Sequence, residues 1–382
     1  MKFLRLAFYV LIAQLVLSGC AGEAVEETSS SSSSEINFDA YVGRDASTRS
    51  SETDFTLLKG TEGNSGFGVF ARYKHTDGTI SPLMLMNNEH VYWKKWKGDY
   101  PDWGYENTRY WPNEGSVDFY AFAPHSKDPQ LVNKPGGTEP NPTYIFFPSN
   151  MSPVDLVWAN AKDRTKTEEP VKFTFNHALA RLGFDITANP KLEENGAVIK
   201  VKEVKLYGAD EISGIFIMAG YLNLENGDWA PYDNNISWFY TWTPTGKVDK
   251  GNGKVEGKED GKEDENSIIY KLSAPPQLDH TNDKITNADD SYIFIIPQEK
   301  PANFNLKITY TVEQGDFEEE VTVYKDLLKI LPPPPEDSKP PYFKGGKAYV
   351  FHLKLSLDPV NFDVQATVGD WIGKVVNPDI TI

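Results

Sequence analysis

The chain has 382 residues, one cysteine and a formal net charge of −17, with a sequence pI near 4.9. That acidity excludes nucleic acid as a partner, because phosphate binding requires a basic footprint, and a lone cysteine excludes an internal disulfide. Stability has to come from burial, and the length is enough for two domains of ordinary size.

Lys2 and Arg5 give the chain a positive start, and an apolar run from Leu6 to Leu17 is broken only by Gln14. The run is shorter than the roughly 20 residues of a membrane-spanning helix, so it predicts a cleaved export signal over residues 1–19. It ends in Leu17-Ser18-Gly19-Cys20, which looks like a lipobox, and Cys20 is expected to become a lipidated first residue that ties the protein to a membrane. Each buried acyl methylene adds about 0.8 kcal/mol and one chain holds only marginally, so several chains are needed for a stable anchor. Residues 20–34 are acidic and then serine-rich, too polar to fold, and read as a tether.

Beyond the tether the dominant signal is alternation of apolar and polar residues, the period of a strand with one face buried. Ile36, Phe38, Ala40 and Val42 alternate with Asn37, Asp39 and Tyr41; Val171, Phe173 and Phe175 alternate with Lys172 and Thr174; Leu182, Phe184 and Ile186 repeat the pattern. The run Phe304, Leu306, Ile308, Tyr310, Val312 does the same, as do Tyr349 to Leu357 and Val360 to Val368. Between Ala197 and Tyr207 the apolar phase slips by one residue, which predicts a β-bulge near Lys202 or Glu203. Tyr292 to Ile296 is apolar on both parities and predicts a strand covered on both faces.

No sustained helical period is present, while 29 glycines and 26 prolines punctuate the chain at short intervals. The expected fold is therefore all-β, two tandem β-sandwich domains over residues 35–188 and 189–382 with minor helix. Lys247 to Asn266 is charged and glycine-rich and reads as a loop at a hairpin end. Pro332 to Pro335, with Pro340 and Pro341, reads as a stiff extended connection.

The residues carry no catalytic constellation. Six histidines, at 75, 90, 125, 177, 280 and 352, show no His-x-His or His-Glu-x-x-His spacing, so no metal site and no cofactor is expected. No serine stands in a Gly-x-Ser-x-Gly elbow. His177, after an alternating run, reads as a hydrogen-bonded structural histidine. Tyr92, Trp93, Trp96, Tyr100, Trp103, Tyr105, Tyr110 and Trp111 are crowded together. Core or rim packing accounts for such rings; the alternative is a surface on which sugar rings stack, with Trp93, Trp96 and Trp103 as contacts, in a glycan-binding surface lipoprotein that does not polymerise.

A series of motifs in order, Gly68-Val69-Phe70-Ala71, Met86-Asn87-Asn88, Tyr110-Trp111-Pro112, Val117-Asp118-Phe119-Tyr120-Ala121-Phe122-Ala123-Pro124, Asp155-Leu156-Val157 and Val171 to Leu182, resembles the fimbrillin family, the subunits of type V pili of Bacteroidetes. The stretch from Gly346-Lys347-Ala348-Tyr349 to Asp370-Trp371 is similar to that family too. The resemblance implies transthyretin-like sandwiches and a non-enzymatic role in a fimbrium at the outer-membrane surface, with other fimbrial subunits, an arginine-specific protease and a host protein or glycan receptor as partners. It also implies a route: export as a lipoprotein, proteolytic removal of the first strand, and filling of its groove by a strand from a neighbouring subunit. Ile36, Phe38, Ala40 and Val42 would form the removable strand, with Arg49, ahead of Arg44, as the processing site; the alternative is that both arginines are ordinary loop residues. The donor would come from Val360 to Val368 or from Val375 to Ile382.

Overall fold

A computed structural model describes residues 34–42, 58–59, 66–94, 102–148, 155–188, 198–210, 215–217, 219–232, 236–242, 250–252, 268–270, 285–286, 293–331, 342–355 and 363–370. In the first half the strands are β1 (Phe38–Val42), β2 (Phe67–Lys74), β3 (Ile80–Lys94), β4 (Asp102–Gly104), β5 (Ser116–Ala123), β6 (Tyr144–Pro148), β7 (Val157–Arg164) and β8 (Val171–His177). There follow β9 (Ala180–Ala188), β10 (Val198–Tyr207), β11 (Phe216–Ile217), β12 (Ala219–Asn223), β13 (Trp229–Pro231) and β14 (Ile236–Trp242). The last are β15 (Lys250–Asn252), β16 (Ile268–Tyr270), β17 (Ile285–Thr286), β18 (Ile293–Ile295), β19 (Asn305–Gln314), β20 (Phe317–Asp326), β21 (Lys347–Leu355) and β22 (Asp363–Asp370).

The fold is all-β. One sheet has the order β1-β8-β7-β5-β2-β3-β4. Its inner face gathers Phe38, Phe67, Val69, Ala71, Phe119, Ala121, Val157, Phe173 and Phe175 into one core. A second core lies between the sheet containing β10, β14, β19 and β20 and the sheet containing β9, β21 and β22, filled by Val204, Leu206, Phe304, Leu306, Ile308, Tyr310, Phe351 and Leu353. Alternation accounts for this directly, since every other residue of β19 and β21 turns to the same side.

β2 and β5 depart from alternation, being buried on both parities. The reason is a third layer: the small sheet β13-β12-β6 lies over their outer face, so that Phe70, Tyr120 and Phe122 pack with Ile145, Leu222 and Leu224. β6 belongs in sequence to the first sheet, yet it pairs with β12, with Phe146 opposite Tyr221. β9 ends at Ala188 and pairs with β17, β18 and β21, which all follow it in the chain.

Two local expectations are met by register. The β10–β19 pairing shifts between Val201 and Glu203, leaving Lys202 as the extra residue, while Val201, Val204 and Leu206 all reach the core. β18 has Phe294 in one core and Ile295 in another, hence its unbroken apolar sequence. The segment expected as a loop from Lys247 differs in part: Lys250–Asn252 pair with Ile268–Tyr270, because backbone pairing at a sheet edge requires no apolar side chains. The proline-rich connection lies outside the described residues.

Candidate functional site: the groove that holds the first strand

β1 is the end strand of its sheet, and its inward side chains lie at the bottom of a groove. Ile36, Phe38, Ala40 and Val42 are 1%, 4%, 3% and 5% exposed, whereas Asn37, Asp39 and Tyr41 face outward. Phe38 stacks on Phe173 with ring centroids 5.7 Å apart, meets Phe67 and Phe119 edge-on at 6.3 and 5.8 Å, and contacts Tyr105 at 5.6 Å. Burying each of the three large side chains is worth about 1.5–3 kcal/mol, so the strand's apolar face holds it with several kcal/mol.

The strand is hydrogen-bonded along both edges. On one side it runs parallel to β8, Phe38 opposite Val171 and Val42 opposite Phe175, and the Val171 amide donates to the Asn37 carbonyl at 2.8 Å. On the other side the Ile36 amide donates to the Arg109 carbonyl at 2.9 Å, the Tyr105 hydroxyl donates to the Ile36 carbonyl at 2.8 Å, and Glu35 forms an antiparallel bridge with Tyr110. Arg109 is itself fixed, its Nε donating to the Leu85 carbonyl at 3.0 Å and its amide to the Tyr105 hydroxyl at 3.1 Å. Burial pushes the Tyr105 phenol up to about 12, which keeps the hydroxyl protonated as a donor.

The aromatic cluster contributes the wall of this groove. Trp103 is buried, 5.2 Å from Phe67 on one side and 5.2 Å from Trp93 on another, and thus offers no open face for a sugar ring. Trp93 is half-buried, with the Lys59 ammonium 3.8 Å above its ring. Trp111 is buried against Phe119, and Tyr110 meets Glu35 by a single bridge and not as part of a strand. Trp103, Tyr105 and Trp111 are buried in the core under β1, whereas Tyr110 is 47% exposed.

Tyr105 and Arg109 are the groove residues that sequence reasoning missed in this role. Tyr105 was visible only as one ring of the crowd, and Arg109 contributes through its backbone, which leaves no compositional mark. His177 sits at the end of β8 with its Nδ1 2.9 Å from Oδ2 of the fully buried Asp155, a structural pair. Cys20, Arg44, Arg49 and Trp96 lie outside the described residues, as does the segment Val375 to Ile382. Among the described residues no group of three or more His, Cys, Asp or Glu side chains converges on a metal position.

A family model described as fimbrillin-like matches residues 48–371. The fimbrium subunit Fim1C of Phocaeicola vulgatus is 23% identical over 396 residues, a match that covers 95% of this chain and 95% of Fim1C. The crystal structure of a fimbrial protein from Bacteroides vulgatus ATCC 8482 aligns with a TM-score of 0.57 at 20% identity, covering 88% of this chain and 99% of that one, a likeness of fold.

Proposed function

The chain belongs to the fimbrillin-like family, and from that premise we propose that it is a fimbrial subunit exported as a lipoprotein on Cys20 and polymerised by exchange of its first strand. Cutting at Arg49, or at Arg44, frees β1; a strand of a neighbouring subunit then fills the groove. The role is assembly at the cell surface, with no chemistry performed on a substrate.

The observation that carries this reading is the position of β1. It is the terminal strand of its sheet, it is buried to the floor of an apolar groove, and its neighbour in the sheet is β8 rather than β2, the next strand in the chain. One cut between residues 43 and 65 therefore leaves β1 held by non-covalent contacts alone and divides no other strand among the described residues. An emptied groove would expose Phe173, Phe67 and Phe119 and one edge of β8, and strand addition satisfies both the apolar and the hydrogen-bonding demand.

Amino-terminal sequencing of the protein from the cell surface tests the proposal. A start at Ser50, with multimer ladders that resist detergent and collapse on heating, is the expected result. An intact lipidated Cys20 on a protein without ladders would overturn it.

A further inference from the structure

The bulge in β10 turns two neighbouring side chains of opposite charge to one face. Val201 and Val204 both enter the core, so Lys202 and Glu203 between them both stand on the outer face, where a regular strand would have put them on opposite sides. The same outer face of β19 and β20 carries Thr309, opposite both Glu203 and Thr322, and Lys307, opposite Tyr324. With Glu320 these side chains line a cleft of about 460 Å³. Clefts that hold small molecules run from about 300 to 1,000 Å³.

The lining consists of two ion pairs about a pair of hydroxyls. The Lys202 ammonium donates to Glu320 Oε2 at 2.7 Å, Lys307 Nζ lies 3.3 Å from Glu203 Oε1, and the Thr309 and Thr322 hydroxyls share a hydrogen bond of 3.1 Å. An ammonium carries three donors and a carboxylate about four acceptor sites, so a single hydrogen bond leaves the Lys202–Glu320 pair with most of its capacity. Of two bonded hydroxyls, one keeps its hydrogen for another acceptor. Tyr324 is 55% exposed and presents an aromatic ring beside these polar groups.

Charge decides what such a cleft accepts. Its two ammonium groups and two carboxylates cancel, and the Lys202 ammonium also lies in the field of Glu313 and Glu318, which repel an anion. A cation or an anion would have to break an existing pair to find its match, whereas a hydroxyl joins the pair without displacing either member.

We propose that this cleft binds a neutral sugar ring. The C–H groups on one face of a pyranose are drawn to the negative face of the Tyr324 ring. Of two adjacent ring hydroxyls, one donates to the Glu320 carboxylate while its neighbour accepts from the Lys202 ammonium, and a further hydroxyl meets the Thr309–Thr322 pair. The bulge is what brings Lys202 and Glu203 to the same ligand. The proposal does not depend on strand exchange, because the uncut chain carries the cleft complete.

Saturation-transfer-difference NMR on the full, uncut chain tests it, with methyl β-D-glucopyranoside, methyl β-D-galactopyranoside and methyl α-D-mannopyranoside as probes and the methyl glycoside of N-acetylneuraminic acid as the anionic comparison. At least one neutral glycoside is expected to take up saturation, most strongly at its ring C–H protons, and the anionic one none. Tyr324→Ala should abolish the transfer, and Lys202→Ala should weaken binding about tenfold, as the loss of one hydrogen bond to a charged group does. Tyr232→Ala removes an exposed ring outside the cleft and should change nothing. Parental melting curves for the variants place any loss in the cleft, and Lys202→Ala decides alone if Tyr324→Ala does not fold. No transfer to any neutral glycoside, transfer to the anionic one alone, or transfer that survives the cleft variants means that this is not a sugar site.

Discussion

Phe38 touches four other rings, and Phe38→Ala therefore leaves a cavity that its neighbours can fill only in part. A loss of about 3–5 kcal/mol is expected, measured by denaturant unfolding of the uncut chain. Tyr105→Phe keeps the ring contact and removes the donor to the buried Ile36 carbonyl, for a loss of about 1–3 kcal/mol. The same hydroxyl has a pH signature. Its pKa is raised to about 12 in the folded state against 10.0 when unfolded, so the stability it contributes is complete below pH 10 and is lost between pH 10 and 12. His125 acts at the other end of the scale. Burial, with His90 stacked 3.8 Å away and Lys127 near, lowers it to about 4, so the unfolded chain binds a proton below pH 6.5 that the folded one refuses. Stability falls by about 1–2 kcal/mol as pH drops from 6.5 towards 4, and His125→Phe should remove that part of the acid slope in parallel urea titrations.

Among elements, what was legible followed from how many faces a strand buries. β1, β8, β19 and β21 bury one face and announce it by alternation; β18 buries two and announces it by an unbroken apolar run. The pairing of β1 with β8 was illegible, since a parallel partner more than a hundred residues away leaves no trace in either strand's own pattern. The groove was legible as an apolar face in search of cover, but the latch of Tyr105 and the Arg109 backbone was not. Nor was the inward turn of Trp103, because an aromatic side chain reads the same whether it faces core or solvent. β10 provides a direct test of the pattern argument. Lys202 is the extra residue that lets Val201 and Val204 both face inward, and deleting it turns one set outward. The Lys202 deletion should lower the melting temperature by 10 °C or more or abolish soluble protein, while Lys202→Ala, which keeps the bulge, should stay within about 0.5 kcal/mol of the parent.

At the scale of the molecule, the small sheet decides whether the two main cores act together. β6 leaves the first sheet to pair with β12, and the turn that follows β12 is fastened to β7: Asn160 Nδ2 donates to the carbonyls of Leu224 and Glu225 at 3.2 and 2.7 Å. Gly227 in that turn has φ +78° and lies against Trp158 so closely that a Cβ would fall 2.4 Å from the indole. Trp229 Nε1 donates to the Ala178 carbonyl at 2.8 Å, between β8 and β9, and Leu222 packs against Phe70, Tyr120 and Phe122. These contacts couple the unfolding of each core to the other. Calorimetry of the uncut chain should accordingly give one transition. Leu222→Ala removes about 2–5 kcal/mol from the shared layer and Asn160→Ala unfastens the turn, while neither residue belongs to the two flanking cores. The double variant should split the trace into two peaks, the lower of which also loses the Phe38 groove or the β19–β20 core but not both; a single peak at a lower temperature would mean that the coupling runs through the β8–β9 junction instead.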